Sequence, residues 1–301
     1  MSDKIHRFHL ENLNVRGEWV SLTSVWKEIQ KTADYPKPVR DVLGEALVAI
    51  SLLAESLKFD GSLILQIRGT QPVSMLVVQA NADGAIRGIA RWQGEIADDA
   101  VFHDLFGDGS MVISVENNTK NLKAGAQQGE RYQSFVSLEG DTLAECFKEY
   151  FAQSEQLKTR LWLAVNDKCA AGIMLQSLPN DDPEKSAQGW NHATILAETL
   201  KNEELLELDV KDLLHRLYHE EDLRLYDAKP LRFECSCSQQ KIENTIKSLG
   251  EKEANEILED QGSITVDCEF CNTNYILDSV DIKRLFSHAD VTDISGSGSV
   301  H

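Results

Sequence analysis

Apolar residues recur at helical spacing through Val39, Val42, Leu43, Ala46, Leu47, Ile50, Leu53, Ala54 and Leu57, which predicts one long helix. Pro36 and Pro38 stand at its start, where a missing amide hydrogen is tolerated, and it stops before Asp60-Gly61. Runs rich in branched residues follow. SLILQIRG at 62–69 and VSMLVVQA at 73–80 read as strands, and Asp83-Gly84 is a hairpin turn leading into AIRGIARW. MVISVE at 111–116 and RYQSFVSL at 131–138 read as another strand pair. A second helix opens at Thr142, with Glu145 in the capping-box position and Leu143, Phe147, Tyr150 and Phe151 facing inward. RLWLAV and AAGIMLQSLP are two more strand-like runs. Helices and strands mix without a regular βαβ alternation, so residues 1–181 read as an α+β domain.

The pattern changes after that. PNDDPEKSAQG at 179–189 is a polar linker signal. Two amphipathic helices are expected next, one with Ala193, Leu196, Ala197 and Leu200 on a face, the other capped by Asp209 and carrying Val210, Leu213, Leu214, Leu217 and Tyr218. Residues 182–234 hold 7 basic and 13 acidic residues and form a helical linker whose narrow apolar faces must dock on a neighbour or stay marginal. From Cys235 a small module begins. Ser238 caps a helix with Ile242, Ile246 and Leu249 that Gly250 stops; a second helix holds Ala254, Ile257 and Leu258; a hairpin over SITVD-CEFC-NTNYIL follows. The module, 235–301, is small enough to need a staple, and its last stretch, SGSGSVH, is low-complexity and expected to be disordered. The architecture expected is therefore α+β: an N-terminal mixed α/β domain, a helical linker and a small C-terminal module.

Charge and cysteine usage narrow the function. With 30 basic and 49 acidic residues in 301, the net charge is −19, which argues against nucleic-acid and anionic-membrane partners and favours solubility. The N-terminal stretch MSDKIHRFHLENLNVRG has no apolar core of signal-peptide length, and the run near 46–54, broken by Ser51, is too short to span a bilayer. A cytoplasmic protein is expected, in which six cysteines read as metal ligands, redox thiols or buried apolar residues. Four of them form two close pairs 30 residues apart, Cys235-Ser236-Cys237 and Cys268-Glu269-Phe270-Cys271. That spacing predicts one Zn2+ per chain held by four thiolates at about 2.3 Å. An iron–sulfur cluster uses the same ligands. A thioredoxin-like site is disfavoured because a strand, not a helix, follows Cys271. Cys146 and Cys169 read as buried small hydrophobes. His215 and His219, four apart, lack an evident third ligand and read as docking or solvent residues. Asn117-Asn118-Thr119 is a glycosylation sequon without meaning in the absence of a secretory signal. No Walker loop, nucleophile elbow or dinucleotide-binding glycine pattern occurs, so no enzyme activity is expected. An oxidant that converts zinc thiolates to sulfenic acid or disulfide removes the ligands, which suggests a reversible switch; a permanently structural zinc has the same spacing.

The chain resembles the heat shock protein 33 family of redox-regulated bacterial chaperones. The resemblance rests on the C-x-C and C-x-x-C pairs together with YPKPV, LKFDG, LEGDTL, SEQLKTRL and RLYHEED, and runs along nearly the whole chain. It implies an ATP-independent holdase that is inactive when reduced and zinc-bound at Cys235, Cys237, Cys268 and Cys271. It also implies that oxidation forms the disulfides Cys235–Cys237 and Cys268–Cys271, that the linker then unfolds, that unfolding client proteins bind, and that activated chains form a homodimer. Asn272 and Asn274 stand where glycine and a more basic residue are expected in many relatives, and neither is a ligand. Two rivals differ in class. A zinc-ribbon nucleic-acid module is disfavoured by the 5 basic and 12 acidic residues of 235–301. A thiol–disulfide oxidoreductase predicts catalysed insulin reduction.

Overall fold

The computed structural model describes residues 3–57, 59–117, 131–152, 157–179 and 182–287. Asn118 and Thr119 of the sequon and the SGSGSVH tail lie outside them. The chain divides into two compact units, with the boundary between Glu234 and Cys235.

In chain order the first unit contains β1 (Lys4–Leu10), β2 (Val15–Leu22), α1 (Ser24–Gln30), α2 (Lys37–Ser56), β3 (Gly61–Arg68), β4 (Val73–Asn81) and β5 (Ala85–Trp92). Then come α3 (Phe102–Phe106), β6 (Ser110–Asn117), β7 (Arg131–Ser137), α4 (Leu143–Tyr150), β8 (Thr159–Val165) and β9 (Ala170–Ser177). It closes with α5 (Pro183–Ala197), α6 (Asn202–Glu207), α7 (Val210–Tyr218), β10 (Leu223–Leu225), β11 (Lys229–Pro230) and β12 (Arg232–Phe233). One sheet has the order β10-β1-β2-β9-β8, with β11 also on β1; the other has the order β12-β5-β4-β3-β6-β7. Among these pairings only β12 on β5 is parallel.

Helix α2 lies between the two sheets. Its predicted stripe is buried from Val39 to Leu53, with Ala54 and Leu57 only half-buried at the C-terminal end, and Val48, Ala49 and Leu52 off the stripe are buried too, because a helix covered on two sides needs apolar residues nearly all round. Close approach demands small residues opposite it: a Cβ on Gly172 of β9 would lie 2.4 Å from a Val48 methyl. Thr142 caps α4 as expected, its hydroxyl accepting from the Glu145 amide at 3.3 Å. Glu145 reaches back one residue further, accepting from the Asp141 amide at 2.8 Å.

The other face of the first sheet carries α5–α7. Phe8, Leu10, Val15, Trp19, Ile173 and Leu175 from the sheet meet Trp190, Ala193, Ala197, Leu205, Val210, Leu213, Leu214, Leu217 and Tyr218 from the helices in a second core. The stretch read as a polar linker is in fact helical from Pro183. Asp182 caps it, its carboxylate accepting from the amides of Glu184 and Lys185 at 3.1 Å each, and the polar first turn is simply its solvent face. Three helices, not two, fill this segment; α6 buries only Leu205, too little to show as a periodic pattern.

The second unit contains α8 (Gln239–Leu249), α9 (Glu251–Gln261), the antiparallel hairpin β13 (Ile264–Asp267) and β14 (Asn274–Leu277), and α10 (Ser279–Ser287). Its core is Ile246, Ala254, Ile264, Leu277, Ile282 and Leu285. Leu249, expected on the apolar face, is 44% exposed because it is the last residue before the Gly250 stop.

Candidate metal centre

Each cysteine pair is held by the turn beside it. Cys235 and Cys237 precede α8, whose cap is Ser238; its hydroxyl accepts from the Lys241 amide at 3.3 Å, and Lys241 Nζ donates to the Ser236 carbonyl at 2.6 Å. Cys268 and Cys271 sit on the tip of the β13–β14 hairpin. There the Cys268 carbonyl accepts from the amides of Cys271 at 3.2 Å and Asn272 at 2.7 Å, while the Cys268 amide donates to the Thr273 carbonyl at 2.9 Å. Asn272 has φ 56°, the left-handed region that glycine enters freely and asparagine tolerates best among the other residues. The glycine expected in relatives and the asparagine here thus meet one backbone demand.

The four sulfurs lie within 4.8 Å of one another, and among the described residues they form the one cluster of three or more metal-ligating groups. Cys235 Sγ and Cys268 Sγ are 3.6 Å apart, and Cys237 Sγ and Cys271 Sγ 3.4 Å. Thiolates at 2.3 Å from a tetrahedral centre stand about 3.8 Å from each other, so the set fits a tetrahedral ion such as zinc. Four sulfurs close together can hold a metal ion.

Two neighbours tune the cluster. The Tyr275 hydroxyl donates to Cys237 Sγ at 3.2 Å, and Thr273 Oγ1 lies 3.2 Å from Cys271 Sγ. Burial, against the Tyr275 hydrogen bond, pushes the Cys237 thiol up, and burial pushes Cys268 up to about 12. Burial also acts on Cys271, but hydrogen bonds from Thr273 and the other sulfurs outweigh it and bring that thiol down to about 7. Crowded thiols oppose one another's ionisation, and a divalent cation is what allows all to be thiolates together. Sequence reading missed Thr273 and Tyr275. Their only signal is hairpin register, which sets Tyr275 opposite Val266 next to the knuckle.

The other candidates stay apart. Cys146 and Cys169 are buried in the first unit, and burial pushes both thiols up. His215 on α7 and His219 at its C-terminal cap are exposed, and His219 Nδ1 lies 3.2 Å from the His215 carbonyl. No described helix is long and apolar enough to cross a membrane.

Fold and site together define a class: an α+β unit of two sheets around a central helix, followed by a small module built on a four-thiol cluster. The chain belongs to the Hsp33 protein family, whose profile matches residues 3–278. It is 45% identical over 293 residues to a 33 kDa chaperonin of Pseudomonas aeruginosa strain UCBPP-PA14, covering 96% of each chain. It is 41% identical over 304 residues to a 33 kDa chaperonin of Aliivibrio salmonicida, covering 100% of this chain and 99% of the other. The fold matches the crystal structure of a 33 kDa chaperonin from Thermotoga maritima with a TM-score of 0.79 at 21% identity, over 96% of this chain and 99% of that one.

Proposed function

We propose that this chain is a cytoplasmic, ATP-independent, redox-regulated chaperone that holds unfolding client proteins under oxidative stress. In the reduced state Cys235, Cys237, Cys268 and Cys271 hold one Zn2+. Bound there, the ion supplies folding free energy of about 10–16 kcal/mol, as structural zinc does in small domains. An oxidant such as hydrogen peroxide takes two electrons from each thiolate pair, leaving the disulfides Cys235–Cys237 and Cys268–Cys271 and freeing the Zn2+, while each peroxide takes up two protons from solvent and becomes two waters. In the folded module sulfurs of different pairs also touch, at 3.6 and 3.4 Å. Within-pair closure is favoured once the ligands loosen, because short loops cost least entropy to close.

The observation that carries this reading is the joining of a four-sulfur cluster to a core of six buried residues among those described. So small a core depends on its staple. Loss of the staple unfolds the module, and residues 182–234 loosen in turn. Their release uncovers the second core, a non-directional apolar surface suited to varied clients. Activated chains form dimers, and their acidic charge opposes larger assemblies.

The test is the aggregation of a heat-unfolding client with the protein reduced and then oxidised, alongside metal analysis. Suppression only after oxidation, with loss of one zinc per chain, supports the reading; equal suppression in both states contradicts it. Peptide mapping should show the two within-pair disulfides, with Cys146 and Cys169 reduced.

A further inference from the structure

The segment that leads into the first cysteine pair crosses from one sheet to the other. β11 lies on β1, and β12, two residues long, adds to the outer edge of β5 as the one parallel strand described. The Arg232 amide donates to the Gly84 carbonyl at 3.0 Å and the Glu234 amide to the Ile86 carbonyl at 3.2 Å. The Arg232 guanidinium straddles the β4–β5 turn, reaching the Asp83 carbonyl at 2.7 Å and its carboxylate at 2.6 Å. Leu231 and Phe233, on either side, pack against the main core. Gly84, at φ +86°, leaves room for the crossing: a Cβ there would meet the Pro230 carbonyl oxygen at 2.6 Å. Beneath the crossing is a cavity of about 670 Å³, walled by Leu57, Phe59, Ala80, Ile86 and Leu231, with Lys229 and Glu55 paired at 2.7 Å on its rim. A short strand with two backbone hydrogen bonds, alternating side chains seated in apolar ground and one charged anchor is the pattern by which a sheet edge receives an extended peptide.

We propose that the β5 edge and the cavity beside it form a peptide-docking site. Residues 231–234 occupy it in the reduced protein, and an extended apolar–basic–apolar segment of an unfolding protein takes it after oxidation. The site rests on the redox reading above for when it opens, but not for what it binds. The backbone edge supplies affinity for any extended chain, the cavity takes an apolar side chain, and Asp83 favours a basic residue between two apolar ones. Release is coupled to the module because Cys235 follows Glu234 directly in the chain.

The probe is a fluorescent peptide of sequence Lys-Pro-Leu-Arg-Phe-Glu and its scramble, read by anisotropy against the full chain. The oxidised protein should bind the peptide about tenfold more tightly than the scramble, and the reduced protein should bind neither. Asp83→Asn keeps the turn, since Asn-Gly serves there as well as Asp-Gly, and should weaken binding about fivefold. A double variant, Leu231→Ser with Phe233→Ser, frees the edge without oxidation and should bind the peptide while reduced; Arg232→Ala is the milder substitute if that variant does not fold. Binding by a reduced variant but not by the oxidised natural chain leaves the site standing and overturns the redox reading. If oxidised protein holds client yet neither it nor the freed variants prefer the peptide to its scramble, the site is wrong and the redox reading stands. A benzophenone in place of the peptide's phenylalanine should label residues 80–88 of the oxidised natural chain; labelling confined elsewhere overturns the site.

Discussion

Tyr275 touches the thiol cluster without being one of its ligands, donating its hydroxyl to Cys237 Sγ. Partners of this kind fix ligand orientation, and their loss costs about 10–100-fold in metal affinity. Tyr275→Phe should therefore keep the fold and weaken zinc binding about tenfold, read by competition with a chromogenic chelator; unchanged affinity would show the hydroxyl to be incidental. Asn272 gives a backbone counterpart. Asn272→Gly should leave the module as stable or slightly more so, whereas Asn272→Val, forced to positive φ, should cost about 1–3 kcal/mol in chemical denaturation of the reduced protein. A third residue lies far from this chemistry. Glu18 of β2 is 1% exposed and one of its oxygens has no partner. Burial, with Glu55 adding to it and Arg16 and Arg7 opposing, raises its carboxyl to about 7. Between the ordinary carboxylate pKa and about 7 the folded chain keeps a proton that the unfolded chain has lost, so stability falls as pH rises through that window and levels off above it. Glu18→Gln should flatten that slope and stabilise the first unit at pH 8 by about 1–3 kcal/mol in urea titrations, the range set by the size of the burial shift. A slope that persists in the variant assigns it to another group.

The elements that the pattern revealed best are those with one buried face. Helix α7, capped by Asp209 and carrying Leu213, Leu214, Leu217 and Tyr218 inward, follows its periodicity residue for residue. The β3–β4–β5 meander with its Asp-Gly turn does the same. The N-terminal strands were not legible because their sheet is covered on both sides: Ile5 of β1 enters one core, Phe8 and Leu10 the other, and period-two alternation is lost. Strands β10–β12 are too short to carry any pattern, and β12 exists only because β5 offers an edge. The four cysteines were legible from spacing alone, since chelation needs close pairs; the hydrogen bonds around them, made across a hairpin, were not. Helices α5–α7 are the elements that the proposed switch would release. α6 and α7 have 6 and 9 residues, below the roughly 12–15 at which isolated helices hold in water. Their stability comes from docking, fastened by Tyr218 donating to the Ala193 carbonyl and by Arg216 reaching Glu204 and Thr199. Leu214→Ala should cost about 2–5 kcal/mol of docking. Faster hydrogen exchange over 183–218 and partial client holding by the reduced variant are expected; faster exchange without holding would separate helix release from function.

For the molecule as a whole, an excess of acidic charge accompanies an apolar face that the proposed cycle exposes. Net charge −19 keeps such a state dispersed, so client holding by oxidised protein should weaken as salt screens the charge and self-association grows, with sedimentation tracking the change. The two units give that cycle its parts. One has a small core and a four-sulfur cluster; the other carries α5–α7 on an apolar sheet face. The central claim is that the redox state of four thiols in the second unit governs the docking of helices in the first. Hydrogen exchange over residues 183–218, measured on reduced protein and on the same oxidised sample that suppresses client aggregation, tests it most directly. Protection should fall on oxidation together with the gain of holding activity and return with reductant and zinc. Holding activity with protection of that segment unchanged would contradict the account.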